Sequence, residues 1–158
     1  MMHVSYILSS LRYWTSMDTR VRIRLKPITE TRAPHCSVTV GYVTKMVSLD
    51  TEQWVEIVIH PDRDSEVDIV VKHHGKTEEE YKSGKSLAVI IEDIEINGIS
   101  DPKFVWQGKF HPDYPRWEED KGPIDTNYLG FNGDWKLTVS IPAYTWIHRT
   151  LSLGWIYD

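Results

Sequence analysis

The sequence predicts an all-β fold, a two-sheet antiparallel sandwich of about eight or nine strands. Three observations carry this reading. Apolar and polar residues alternate with period two through most of the chain, turn signals separate the alternating segments at short intervals, and only one short stretch has helical spacing. The 158 residues are read as one domain, 1–158, because no linker-like composition or internal repeat divides them and the length suits one hydrophobic core.

In chain order, a first strand is expected over Val4 to Leu8. In the next, Val21, Ile23 and Leu25 alternate with Arg20, Arg22, Arg24 and Lys26, which is the pattern of a strand with one wet face. Four like charges on one face repel, so acidic residues in the polar phase of other strands, Glu56 and Asp68, are expected to compensate them. Alternation recurs at Val38 and Val40, at Val55, Ile57 and Ile59 before His60-Pro61, and at Val67, Ile69 and Val71 before His73-His74-Gly75. Thr77 to Lys82 is the one helical candidate, with Thr77 and Glu80 in capping-box spacing and Gly84 as a stop. Leu87 to Ile91 is apolar on both faces, as in a central strand. The apolar parity then moves to Ile94 and Ile96, which predicts a β-bulge near Glu92-Asp93, followed by the turn dipeptide Asn97-Gly98. Trp135, Leu137, Val139 and Ile141 form the next strand, and Leu151, Leu153, Trp155 and Tyr157 read as a last one. The longest stretch without strand periodicity runs from Lys109 to Gly133, and loops of that length in compact domains tend to carry function.

Composition excludes several classes. With 41% hydrophobic and 26% charged residues the chain is neither disordered nor built for a membrane, and no apolar stretch approaches the ~20 residues of a span. A net charge of −5 disfavours nucleic acid as a partner. The single cysteine, Cys36, leaves no intramolecular disulfide, and the Met1 to Leu8 start lacks the basic region of a signal peptide, so no compartment is assigned.

Seven Trp and eight Tyr stand against three Phe, a bias toward side chains with an apolar body and a polar tip. They concentrate around the long loop: Trp106, Tyr114, Trp117, Tyr128 and Trp135. Aromatic faces stack on sugar rings while carboxylates and amides bond the hydroxyls, so these five are the candidate ligand-binding residues. The same aromatics also serve to cover the end of a sandwich or to pack against a neighbouring subunit. Asp113, Asp120 and Asp125 are the candidate calcium ligands, since calcium takes six to eight oxygens, although their spacing is not that of an EF-hand. Loop carboxylates also leave a glycosidase as an alternative. His73-His74 has too few companions for zinc, and neither a nucleophile elbow nor a phosphate loop is present, so no catalytic residue is named.

The run Ser86 to Gly98, followed by the aromatic loop and Gly133-Asp134-Trp135-Lys136-Leu137, resembles β-sandwich carbohydrate-binding modules. It is also similar to the small jelly-roll proteins that tailed phages carry as fibre, decoration or adhesion parts. The resemblance covers about residues 50 to 150 and implies a jelly-roll-like sandwich and a non-catalytic binding or structural role. It further implies a saccharide or neighbouring subunit as partner, self-association, calcium as a common companion, and a virion as one setting.

Overall fold

The computed structural model describes residues 18–152. Its elements are β1 (Thr19–Thr29), β2 (His35–Val40), β3 (Val43–Ser48), β4 (Gln53–Ile59), β5 (Glu66–His74), α1 (Glu78–Lys82), β6 (Leu87–Ile96), β7 (Ile99–Ser100), α2 (Pro102–Gln107), β8 (Lys109–Pro112), β9 (Tyr128–Leu129), β10 (Gly133–Ser140) and α3 (Ala143–Thr150). One sheet has the order β4-β1-β6-β7 with β9 also paired to β6, the other β3-β2-β5-β10-β8, and every pairing is antiparallel. The chain crosses repeatedly between the sheets, so the inward faces of both share one core. This is the expected two-sheet sandwich.

Period-two alternation sets which side chains enter that core. Val21, Ile23 and Leu25 of β1, Val55, Ile57 and Ile59 of β4, Val67, Ile69 and Val71 of β5 and Leu137 and Val139 of β10 are all buried. The predicted bulge is present: Arg24 lies opposite Asp93 and Leu25 opposite Ile91, so Glu92 is the extra residue. It turns Ile94 and Ile96 back to the inner face, where both are fully buried.

The basic side chains of β1 share the outer face as expected. Arg20 pairs with Glu56, Arg22 with Glu95 at 3.0 Å and Arg24 with Glu52 at 2.9 Å. Arg22 and Arg24 also lie over the ring of Trp54, at 4.5 and 5.6 Å from its centre. Asp68 belongs to the other sheet, where it accepts from Thr138 at 2.8 Å and faces Lys136 at 3.5 Å, so Glu95 and Glu52 take the role expected of it.

Three expectations are corrected. Residues 143–150 form a helix, with Leu151 as its C-cap, where a strand was expected to begin; Ala143, Trp146 and Ile147 face inward at helical spacing, and the remainder of that tail lies outside the described residues. The expected strand over Val4 to Leu8 also lies outside them. A third helix, α2, starts at Asp101, whose side chain accepts from the Lys103 N–H at 2.9 Å, with Pro102 at the first position. Finally, the stretch from Lys109 to Gly133 contains β8 and β9, so the loop without strands is narrower, between Asp113 and Asn127.

Trp135 fills the centre of the core at 0% exposure, and it fits because Gly108 has no side chain: a methyl group there would sit 2.1 Å from the indole. The ring is walled by core neighbours, so it has little room to retreat. Gly108→Ala is expected to lower stability by about 1–3 kcal/mol through overpacking, read as an earlier midpoint in urea with an unchanged slope.

Candidate functional site

The site is built outward from the end of β5. After Gly75 the chain enters α1 through a capping box: the Thr77 hydroxyl accepts from the Glu80 N–H at 3.3 Å, and a Glu80 carboxylate oxygen accepts from the Thr77 N–H at 2.9 Å. The Glu80 carboxylate also takes both branches of the Arg32 guanidinium, Nε and Nη2, at 2.8 Å each, and Arg32 Nη2 donates to the Gly75 carbonyl at 2.7 Å. This fork holds the Glu80 carboxyl down at about 2 and fixes α1 to the connection between β1 and β2.

Tyr81 carries the next layer. Its hydroxyl oxygen accepts from the Asn132 N–H at 2.7 Å, and its ring lies 5.8 Å from Phe131 and 6.2 Å from Trp117. Tyr114 sits 5.3 Å from Phe131 on another side and donates its hydroxyl proton to the Gly122 carbonyl at 3.0 Å. The Asn132 side-chain amide accepts from the Lys76 N–H and donates to the Lys76 carbonyl, both at 2.9 Å. Aromatic stacking and this amide together fold the long loop down onto α1.

Within that loop β9 pairs with the start of β6, Leu129 opposite Val89 and Tyr128 opposite Ile90. Alternation buries Leu129 and turns Tyr128 outward, 42% exposed, with its ring against Gly130, where a methyl group would lie 2.8 Å from Cε1. Beside it opens a cleft of about 430 Å³ between the segment after α1 and the stretch 124–131. Leu87, Phe110 and Ile124 give it an apolar lining, and Ser86, Thr126, Lys76 and Lys85 supply polar groups near Tyr128 and Phe131.

Near the end of β5, His73 is fully buried. Its Nδ1–H donates to the Leu129 carbonyl at 2.9 Å, and Nε2 has no hydrogen-bond partner among the described residues. Burial lowers the His73 pKa to about 4, against the backbone hydrogen bonding of Leu129 and Phe131 and with the help of the nearby Lys76 charge.

The sequence-predicted residues divide accordingly. Tyr128 lines the cleft, and Tyr114 and Trp117 stand in the aromatic cluster behind it. Trp106 lies apart on α2 at 54% exposure, and its helix packs through Phe104 against Trp146 of α3. Trp135 is corrected outright: a residue wholly inside the core cannot touch a ligand. The three aspartates do not converge. Asp120 accepts from the Gly122 N–H at 2.8 Å, Asp125 faces Lys109 at 3.6 Å, and Asp113 is exposed where the loop leaves β8. Among the described residues no group of three or more His, Cys, Asp or Glu side chains is placed to hold a metal ion, so these residues do not fit the calcium site expected of them. Sequence reasoning missed Lys76, Ser86, Thr126, Phe131 and Asn132; the signal available was the capping box, which marks the segment that the loop closes upon.

No family model matches the chain, and no curated protein matches its sequence. Among solved structures it is similar to "vCBM60 in complex with galactobiose", at 14% identity and a TM-score of 0.48, over 76% of this chain and 99% of that one. A second similar structure is a selenomethionine form of vCBM60, described as linking two families of calcium-dependent carbohydrate-binding modules by circular permutation. It has 14% identity and a TM-score of 0.48 over 75% of this chain and 89% of that one.

Two measurements check the site. His73 is neutral when folded, with its pKa lowered from 6.5 to about 4, so its contribution is full above pH 6.5 and is lost as pH falls toward 4. Urea unfolding is expected to lose up to about 3 kcal/mol across that window, and His73→Asn is expected to flatten the slope. Thermal melts in calcium and in chelator are expected to coincide, because the three aspartates form no shared site; an upward shift in calcium would restore one.

Proposed function

We propose that the chain is a non-catalytic saccharide-binding module whose ligand lies across Tyr128 in the cleft beside β9. The observation that carries this reading is the Tyr128 ring, half exposed and backed by Gly130, next to hydroxyl and amine groups on an apolar floor. An aromatic face takes the C–H side of a sugar ring, and Ser86, Thr126 and the lysines offer hydrogen bonds to its hydroxyls. The backbone around the cleft is held by Asn132, Tyr81 and β9 pairing, so the surface is formed before a ligand arrives. Glycoside hydrolysis would need two carboxyl groups flanking the scissile bond, and the residues lining this cleft include no Asp or Glu.

A second reading has its own observation. Trp106 on α2 and Tyr144 on α3 are 54% and 60% exposed on two helices that touch through Phe104 and Trp146, which suits packing against another copy or a different structural protein.

Calorimetric titration against a panel of oligosaccharides separates the two. On the first reading at least one binds, and Tyr128→Ala weakens it about tenfold or more, a loss near 1.4 kcal/mol. Gly130→Ala, which pushes the ring off its seat, is expected to weaken binding with little change in melting temperature. Absence of binding, together with a dimer on size-exclusion chromatography that Trp106→Ala dissociates, would favour the second reading.

A further inference from the structure

We infer that the cleft selects a negatively charged saccharide, one bearing carboxylate or sulfate groups, by means of Lys76 and Lys85. The inference rests on the saccharide reading and adds its chemical class. In a chain with a net charge of −5, the residues lining this cleft include two lysines and no acid. The local charge is thus opposite to that of the whole molecule.

The two lysines flank α1, Lys76 before it and Lys85 after it, and neither has a carboxylate within ion-pair distance among the described residues. The nearby acids are already engaged. Glu80 is held by both branches of Arg32, and Glu30 accepts from the Ser86 N–H at 2.6 Å. Lys76 is fixed rather than free: its ammonium donates to the Gly130 carbonyl at 2.8 Å and lies 4.7 Å from the centre of the Tyr81 ring. One carbonyl and one ring face leave donor capacity on a group that has three N–H bonds. Burial lowers the Lys76 pKa, and the opposing attraction of Glu80, whose carboxylate Arg32 already holds, is the smaller effect. An anionic sugar supplies the direct ion-pair partner that neither lysine has, through charge-assisted hydrogen bonds. A neutral sugar of the same shape covers the ammonium groups without neutralising them, and that difference is the source of selectivity.

The test uses three oligosaccharides of equal length titrated into the full chain: a neutral galacto-oligosaccharide, an oligogalacturonate and a sulfated galacto-oligosaccharide. At least one anionic sugar is expected to bind about tenfold or more tightly than the neutral one at low salt, with the gap narrowing at ~0.5 M salt as the charges are screened. The arm that binds identifies carboxylate or sulfate as the group recognised. Lys85→Gln and Lys76→Gln, whose amides still bond a hydroxyl but carry no charge, are each expected to reduce anionic binding several-fold more than neutral binding, with urea midpoints confirming that the variants fold. Equal binding of all three sugars would overturn the charge inference and leave the saccharide reading standing. Anionic preference that persists in both lysine variants would also overturn it. Binding of none of the three, in a protein that melts cooperatively, would overturn the saccharide reading and the inference with it.

Discussion

The side-chain amide of Asn132 exchanges two hydrogen bonds with the backbone of Lys76, the same donor and acceptor pair that two residues of an antiparallel ladder exchange. One side chain thereby does what a strand would do, in a place where the chain has none. Because the Asn132 N–H is also held by the Tyr81 hydroxyl, the turn after β5, the helix α1 and the end of the long loop are fixed to one another through a single residue. The cleft is lined by Lys76, by the segment that follows α1 and by the end of the long loop, so its shape follows from this clasp and not from the sheets alone. His73 anchors Leu129 to β5 by a bond that requires a proton on Nδ1, which fixes the tautomer of the neutral ring.

How much of this was legible in the sequence depends on whether a feature is local or long-range. The parity change between Ile91 and Ile94 placed the bulge, because one extra residue must shift every later side chain to the other face, and the register of β1 against β6 carries the shift at Glu92. The phase of Trp135 with Leu137 and Val139 likewise assigned it to the core, and naming it among ligand residues overrode the better signal. β3 escaped because it is an edge strand: Thr44, Lys45 and Met46 are all exposed, so burial imposes no alternation on it. α3 was passed over because its inward residues Ala143, Trp146 and Ile147 are few and lie between two alternating segments, one ending at Ile141 and the other expected from Leu151.

The site was less legible than the fold for the same reason. The aromatic loop stood out by composition; Tyr114 packs on Phe131 and Trp117 on Tyr81, while Tyr128 lines the cleft. Which aspartates share a site, and which acid faces which arginine, is set by distant pairing. Alternation tells that Asp68 is outward, but not that it is outward on the other sheet. Glu95 reached Arg22 only because β6 lies beside β1, a neighbour 73 positions away in the chain.

The arrangement of the strands also bears on how copies of this protein meet. The side of β6 away from β1 is divided between β7 near one end and β9 near the other, and between them Asn127 bonds the Ile91 N–H and carbonyl at 2.9 and 3.2 Å. No continuous row of free peptide groups is left there. At the opposite margin Lys45 reaches across from β3 to the Glu56 carbonyl of β4, placing a cation over that edge, and β8, at the margin of the other sheet, is only four residues long. A sandwich guarded in this way resists growth by the addition of strands from a neighbour, the route that leads to domain swapping and fibrils. Crowding many copies at high density, as on a repetitive surface, is then compatible with each remaining separately folded.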